Sequence, residues 1–275
     1  MEVRALSASD SVIRVEGLTY SYGGRIKALN NVSFTIKRGE VVSIVGPNGS
    51  GKTTLLKCLL KILKPLGAIY IDGRELGRLS MRDIAKLAGY VPQEHHPVFT
   101  YRVIDFVLLG RVPYHSMFSA PSRREVDLCL KVLESLGIRD LADRPYTSLS
   151  GGQAQLVLVA RALAQGAKIL LLDEPTAHLD FSNQVRVLST IRDLVHSGKV
   201  EAAVMTLHDP NQAMLFSDKI ALLKNGELVA YGAPEKVLTP ENLSRVYELE
   251  FTLLGNHEVR MIVPKVGRGG RATSS

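Results

Sequence analysis

Cysteine is scarce: Cys58 and Cys129 are the only two in 275 residues, and both fall within helical patterns. Neither has the spacing of a metal site or of a disulfide framework, so the chain is read as carrying two buried free thiols in a reducing cytosol. Long apolar runs are missing as well. Residues 41–45, apolar but for Ser43, and Ile169–Leu172 are strand length, far short of the ~18 apolar residues that a membrane-spanning helix needs. Residues 1–11 are polar and mixed in charge, which excludes a secretory signal there. Aromatic side chains make up only 6%, with no tryptophan. The net charge of +7 therefore lacks an aromatic–basic platform, and a specific nucleic-acid role is excluded on that ground. Part of that charge sits near the end of the chain, where Arg260, Lys265, Arg268 and Arg271 face only Glu258 and glycine and serine recur. That composition reads as a partly disordered tail. The remaining composition, 45% hydrophobic and 22% charged, is that of a soluble globular chain.

Hydrophobic patterning divides the chain. Residues 12–19 and 32–36 alternate apolar with polar, as half-buried antiparallel strands do. Residues 41–45 are apolar but for Ser43, the habit of a parallel strand covered on both faces. A helix is predicted over residues 52–63, ending before Pro65. Further buried strands are predicted at residues 88–91, 169–172, 203–207 and 220–223. Interleaved helices make this an α/β fold with a mostly parallel sheet, preceded by an antiparallel β subdomain. Between residues 94 and 166 the pattern turns helical, at 103–109, 124–136 and 154–164, with no buried strand. In the second of these, Val126, Leu130 and Leu133 share a face and Gly137 is placed as a C-cap. The expected organisation is one domain over residues 12–245. Residues 12–93 and 167–245 form its core, residues 94–166 an inserted helical subdomain, and residues 246–275 a tail.

The chemistry is carried by three motifs. Gly46, Pro47, Asn48, Gly49, Ser50, Gly51, Lys52 and Thr53, followed by Thr54, form a glycine-rich loop between a strand and a helix. That is the context of a phosphate loop, the mark of a P-loop NTPase core. Gly49 and Gly51 let the backbone approach phosphate oxygens, Lys52 reaches the β- and γ-phosphates, and the Thr53 hydroxyl can hold Mg²⁺. Asp173 and Glu174 end an apolar strand, where α/β sheets place their ligands. Asp173 can hold Mg²⁺, and Glu174 can polarise the water that attacks the γ-phosphate. Ser150, Gly151, Gly152 and Gln153 stand ahead of the helix at 154–164, whose N-terminus is an anion site. Ser150 also suits as an N-cap.

The order of these motifs, with LSGGQ at residues 149–153, resembles the ATP-binding cassette (ABC) ATPases over roughly residues 12–245. That resemblance implies further roles. Tyr22, before Gly23–Gly24, matches the aromatic that stacks on adenine, with Tyr20 as a nearby competitor. Gln93, ending GYVPQ, matches the glutamine that senses Mg²⁺ and the attacking water. Asp180, in AHLD, matches the loop through which two subunits' sites communicate, and His208 matches the histidine at the γ-phosphate. The chain departs from the family at Ala154, where many members carry a basic residue, and at His178, where many carry serine. Both read as tolerated changes, and the adjacent His95 and His96 read as loop residues rather than metal ligands.

The resemblance also implies a head-to-tail pair, most simply a homodimer, sandwiching two ATP molecules. Lys52, Asp173, Glu174, Gln93 and His208 would come from one chain, and Ser150, Gly152 and Gln153 from the other. Residues 103–111, 208–232 and 234–247 resemble one branch of the family, which serves importers of iron–siderophore, haem, cobalamin and, in some members, molybdate. The expected protein is the ATPase of such an importer. It would lie peripherally at the cytoplasmic side of the plasma membrane, bound to a polytopic permease and served indirectly by an external binding protein. A soluble cassette ATPase in iron–sulfur assembly, repair or translation is the alternative, and a non-catalytic scaffold subunit a third.

Overall fold

The computed structural model describes residues 11–93, 100–114, 120–255 and 260–265. The chain opens with an antiparallel pair, β1 (Ser11–Tyr22) and β2 (Ile26–Lys37), as the alternation predicts. β3 (Glu40–Val45) then runs into the helix α1 (Lys52–Leu59). β4 (Leu66–Ile71) and the short β5 (Arg74–Glu75) extend the first sheet to the order β2-β1-β4-β5. α2 (Met81–Leu87), closed by a Ser80–Asp83 capping box, leads into β6 (Ala88–Val91).

The helical insertion follows, with α3 (Val103–Leu108), a 3₁₀ run over Leu109–Tyr114, α4 (Arg123–Ser135) and α5 (Gly151–Ala164). Among its described residues the only strand-like pairing is an isolated bridge between Arg102 and Pro145. On α4 the inward side chains are Cys129 and Leu133, with Val126 and Leu130 half-buried beside them. Gly137 is left-handed at φ 67°, and its N–H and that of Ile138 bond Glu134 and Leu133. This is the Schellman arrangement that a glycine beyond the helix end provides. His95 and His96 lie outside the described residues.

The second half supplies the core strands β7 (Ile169–Leu172), β8 (Ala202–Leu207), β9 (Lys219–Lys224) and β10 (Glu227–Gly232). α6 (Phe181–His196) precedes β8, and α7 (Pro210–Phe216) follows it. The sheet order is β10-β9-β3-β8-β7-β6, parallel except for the β9–β10 hairpin. That hairpin turns on Asn225 and Gly226, both at positive φ, as a two-residue turn requires. The core lies on both faces of this sheet. Val42, Ile44, Leu171 and Val204 pack with α1 and the antiparallel sheet, while Val41, Val45, Leu172 and Met205 pack with α5 and α6. Each such fully buried side chain contributes about 1.5–3 kcal/mol.

Three expectations are corrected. The helix predicted over residues 52–63 stops at Leu59, because Lys61 turns left-handed at φ 57°. The N–H groups of Lys61 and Ile62 cap the carbonyls of Cys58 and Lys57, and the Lys61 ammonium donates to the carbonyls of Gly77 (2.8 Å) and Leu79 (2.6 Å). The helix expected from residue 154 begins at Gly151, since the Ser150–Gln153 capping box starts it a turn earlier. The tail is ordered further than its composition implies. After α8 (Pro234–Val237) and α9 (Pro240–Tyr247), β11 (Phe251–Gly255) and β12 (Arg260–Pro264) pair as an antiparallel hairpin. Residues 266–275 lie outside the described residues.

Both cysteines are buried, and burial pushes the Cys58 thiol up to about 12 and the Cys129 thiol up to about 11. Neither is a thiolate at neutral pH. Among the described residues, no helix is long and apolar enough to cross a membrane.

Candidate functional site

Parallel pairing brings the C-terminal ends of β3, β7 and β8 to one edge of the sheet, and the site is built there. Val45 ends β3, and the loop of residues 46–51 delivers α1 with no side-chain cap on its first turn. Its leading N–H groups and dipole therefore face the loop's concavity. Gly51 needs to be glycine: its φ is 103°, and a Cβ would stand 2.4 Å from the Ala28 carbonyl oxygen. The Lys52 ammonium curls into the same loop and donates to the carbonyls of Gly46 (2.8 Å) and Pro47 (3.0 Å). Burial pulls it below its ordinary pKa, against the raising pull of Glu174 and then Asp173.

Asp173, only 4% exposed, follows β7 directly. Its Oδ1 accepts from the Thr53 hydroxyl at 3.1 Å and from the Thr206 hydroxyl at 2.8 Å. Tyr90 on β6 is a further neighbour; burial, then the charge of Asp173 and a hydrogen bond to it, push the phenol up to about 12. Glu174 sits left-handed at φ 47°, a conformation in which non-glycine residues carry strain and which clusters at functional positions. Its N–H donates to Thr206 Oγ1 at 2.8 Å, and its Oε1 lies 2.5 Å from His208 Nε2.

Thr206 was missed in the sequence. It is the one hydroxyl in an otherwise apolar strand and is fully buried, which is the signal that marks it. Thr206→Val is expected to take one of its hydrogen bonds from the buried Asp173 carboxylate and to leave the Glu174 N–H without its acceptor, costing about 1–3 kcal/mol. Denaturant midpoints and ATP turnover, measured together, should both fall; unchanged values would remove Thr206 from the site.

The loop, Tyr22, Ile26, Lys27 and Glu174 line a cleft of about 320 Å³. Tyr22 is 42% exposed there, its hydroxyl 3.4 Å from Thr54 Oγ1, whereas its competitor Tyr20 packs against the core. Gln93 is exposed, two residues past β6. The register pairs Val91 with Leu172, so Gln93 follows its strand as Glu174 follows β7.

Ser150–Gln153 and Asp180 are not brought into this cleft. Ser150 caps α5, and Asp180 caps α6, accepting from the Asn183 N–H at 2.8 Å. The two helix starts touch each other: a Cβ on Gly152 would lie 2.3 Å from Asn183 Oδ1, and one on Gly151 2.9 Å from Leu179 Cδ2. This contact gives both glycines a reason within the chain. Beside them His178 is exposed and left-handed at φ 60°, a conformation histidine adopts more readily than most residues.

Among the described residues, no group of three His, Cys, Asp or Glu side chains is placed to hold a metal. The Thr53 hydroxyl and the Asp173 carboxylate still offer adjacent oxygen donors. Such a set fits a hard divalent cation that takes its other ligands from phosphate and water.

The model of the family described as ABC transporter matches residues 29–177. An uncharacterized ABC transporter ATP-binding protein of Methanocaldococcus jannaschii is 43% identical over 254 residues, covering 92% of this chain and 98% of that protein. A protein of Helicobacter pylori named as a probable iron chelatin transport ATP-binding protein is 36% identical, with the same coverage of each chain. Among solved structures, a transporter described as of the metal-chelate ABC type, in an inward-facing conformation, aligns with a TM-score of 0.82 at 34% identity. It covers 94% of this chain and 99% of that one. A dimeric ATP-binding cassette bound to ADP and phosphate aligns with a TM-score of 0.69 at 30% identity, covering 81% and 98%.

Proposed function

Because the chain belongs to the ABC transporter family, whose ATP-binding cassette hydrolyses ATP, we propose that it is the ATPase subunit of an importer for a metal chelate or for an oxyanion such as molybdate. Two copies close head to tail on two ATP molecules. One observation carries the pairing: Ser150–Gln153, at the capped start of α5, lie outside the cleft lined by Lys52, Thr53 and Glu174. A second chain brings the two together. The metal-chelate type neighbour and the iron chelatin relative support the cargo class.

The adenine ring stacks on Tyr22, and the triphosphate lies along the N–H groups of Gly49, Ser50, Gly51, Lys52, Thr53 and Thr54. Lys52 then exchanges the carbonyls of Gly46 and Pro47 for β- and γ-phosphate oxygens. Thr53 and Asp173, with Gln93 nearby, would hold Mg²⁺, which neutralises phosphate charge when bound. Glu174 orients the attacking water and takes its proton, while His208 steadies that carboxylate. Ser150, Gly151, Gly152 and Gln153 of the second copy close over the γ-phosphate, and Asp180 lies at the seam between the two sites. Hydrolysis leaves like-charged ADP and phosphate between the chains and favours opening. The work done on a partner equals the difference in affinity for open and closed states.

The partner is a polytopic permease, which the external binding protein loads and which selects the cargo. It keeps the ATPase peripheral, on the cytoplasmic side of the plasma membrane. A groove of about 380 Å³ between the core and the helical insertion suits it, lined by Met81, Ile84, Tyr90, Val112 and Arg161. Met81 and Val112 are largely exposed there, as docking anchors are before a partner covers them.

Purification from native membranes in mild detergent should recover a stoichiometric polytopic permease. Val112→Glu should lose that permease and keep ATP hydrolysis. Recovery of the wild-type chain only from the soluble fraction, with a soluble partner, would overturn the importer reading in favour of an assembly or repair ATPase.

A further inference from the structure

The β11–β12 hairpin takes no part in the nucleotide cleft, yet it is fastened to the helix that begins beside His208. Asn211, in the first turn of α7, treats the hairpin as a strand neighbour. Its Oδ1 accepts from the Ile262 N–H at 2.8 Å, and its Nδ2 donates to the Ile262 carbonyl at 3.2 Å. Ile262 itself is 3% exposed, and Tyr247 meets Phe251 at the root of the hairpin with ring centroids 5.9 Å apart. The clasp therefore joins packed parts.

On its other side the start of α7 is tied to the site. Asp209, directly after His208, caps the helix by accepting from the Asn211 N–H at 2.8 Å. The neighbouring Gln212 accepts from the Thr176 hydroxyl at 3.1 Å and donates to Gln184 at 2.8 Å. Gln184 in turn donates to the Leu179 carbonyl at 3.0 Å, next to Asp180. Two consecutive side chains thus link the hairpin to α7, and α7 to the segment that follows Glu174.

We infer that Asn211 is a positioning residue and the C-terminal hairpin a brace for the ATPase site. The clasp on Ile262 fixes where α7 starts, and so where His208 meets Glu174. This rests on the role given to His208 above. A helix start without the clasp keeps its Asp209 cap and its Gln212 bonds but loses its tie to the packed hairpin, and a contact as short as that between His208 and Glu174 is sensitive to a shift of an ångström.

The test uses the full chain, with steady-state ATP hydrolysis and amide hydrogen exchange read on the same preparations. Asn211→Ala should lower kcat by about 10-fold, the scale of one hydrogen bond lost from the transition state, with KM for ATP unchanged. Exchange at residues 208–213 should quicken, and His208→Ala combined with Asn211→Ala should be no slower than His208→Ala alone. Asn211→Asp, which keeps the acceptor and loses the donor, should fall between and serves if the alanine variant folds poorly. Wild-type kcat in both Asn211 variants beside a slow His208→Ala would overturn the brace and leave the catalytic reading standing. Multiplying losses in the double variant would overturn the route through His208. Wild-type turnover in His208→Ala would overturn the catalytic reading and the route together, an outcome that no Asn211 variant alone produces.

Discussion

Glu174→Gln is expected to bind ATP as the parent does and to turn it over about 10²–10⁴-fold more slowly, the range that a positioned general base supplies. The substitution is nearly isosteric. The backbone at φ 47° and the N–H bond to Thr206 are indifferent to the side-chain amide. Only the capacity to take a proton from water is removed. Nucleotide titration alongside phosphate release in a single turnover separates the two effects. A pairing of chains driven by ATP should then persist, since the step that separates them is blocked. Turnover at the parental rate would assign the proton to another group.

Lys52→Ala is expected to fail earlier, at binding. A charge-assisted hydrogen bond to phosphate is worth about 1.5–3 kcal/mol, so ATP affinity should fall by roughly 10- to 150-fold, and turnover with it. The loop should keep its shape, because its turns are set by Gly49 and Gly51, both at positive φ, and by the Ser50 N–H on the Pro47 carbonyl. The ammonium leaves behind two carbonyls, which water reaches through the open cleft. Calorimetric titration with ATP and with ADP checks this, and the loss should be larger for ATP. Equal affinity in parent and variant would mean that Lys52 stays on Gly46 and Pro47 and never meets phosphate.

What was legible in the sequence is what local patterning controls. β3, β7, β8 and β9 were found because strands covered on both faces are apolar at nearly every inner position, with Ser43 and Thr206 as exceptions. The candidate site residues were picked out by the spacing that phosphate chemistry asks of a glycine-rich loop and, for Tyr22, Gln93, Asp180 and His208, by resemblance. The helix end at Leu59 was not legible, since the left-handed Lys61 is held by carbonyls of Gly77 and Leu79 that come from a later turn. The start of α5 was legible and was passed over: Ser150 and Gln153 form a capping box, which outweighs the poor helix propensity of the two glycines between them. The hairpin was hidden by composition. A basic, glycine-rich end argues for disorder, while the mostly apolar residues 251–254 and 261–263, with Ile262 buried beside Asn211, argue otherwise. Thr206 needed the third dimension, because nothing local says that a strand hydroxyl meets a carboxylate 33 residues away.

The contact between the starts of α5 and α6 has a consequence in genetics. In the head-to-tail pair proposed above, each chain would give its phosphate cleft to one site and the start of α5 to the other. A chain impaired at Glu174, mixed with a chain impaired at Gly152, gathers both defects into one site and leaves the second whole. The same two lesions carried on a single chain spoil both sites, even beside an intact companion. Complementation between alleles would therefore follow the surface on which each lesion lies, and the severity of either allele alone would not foretell it.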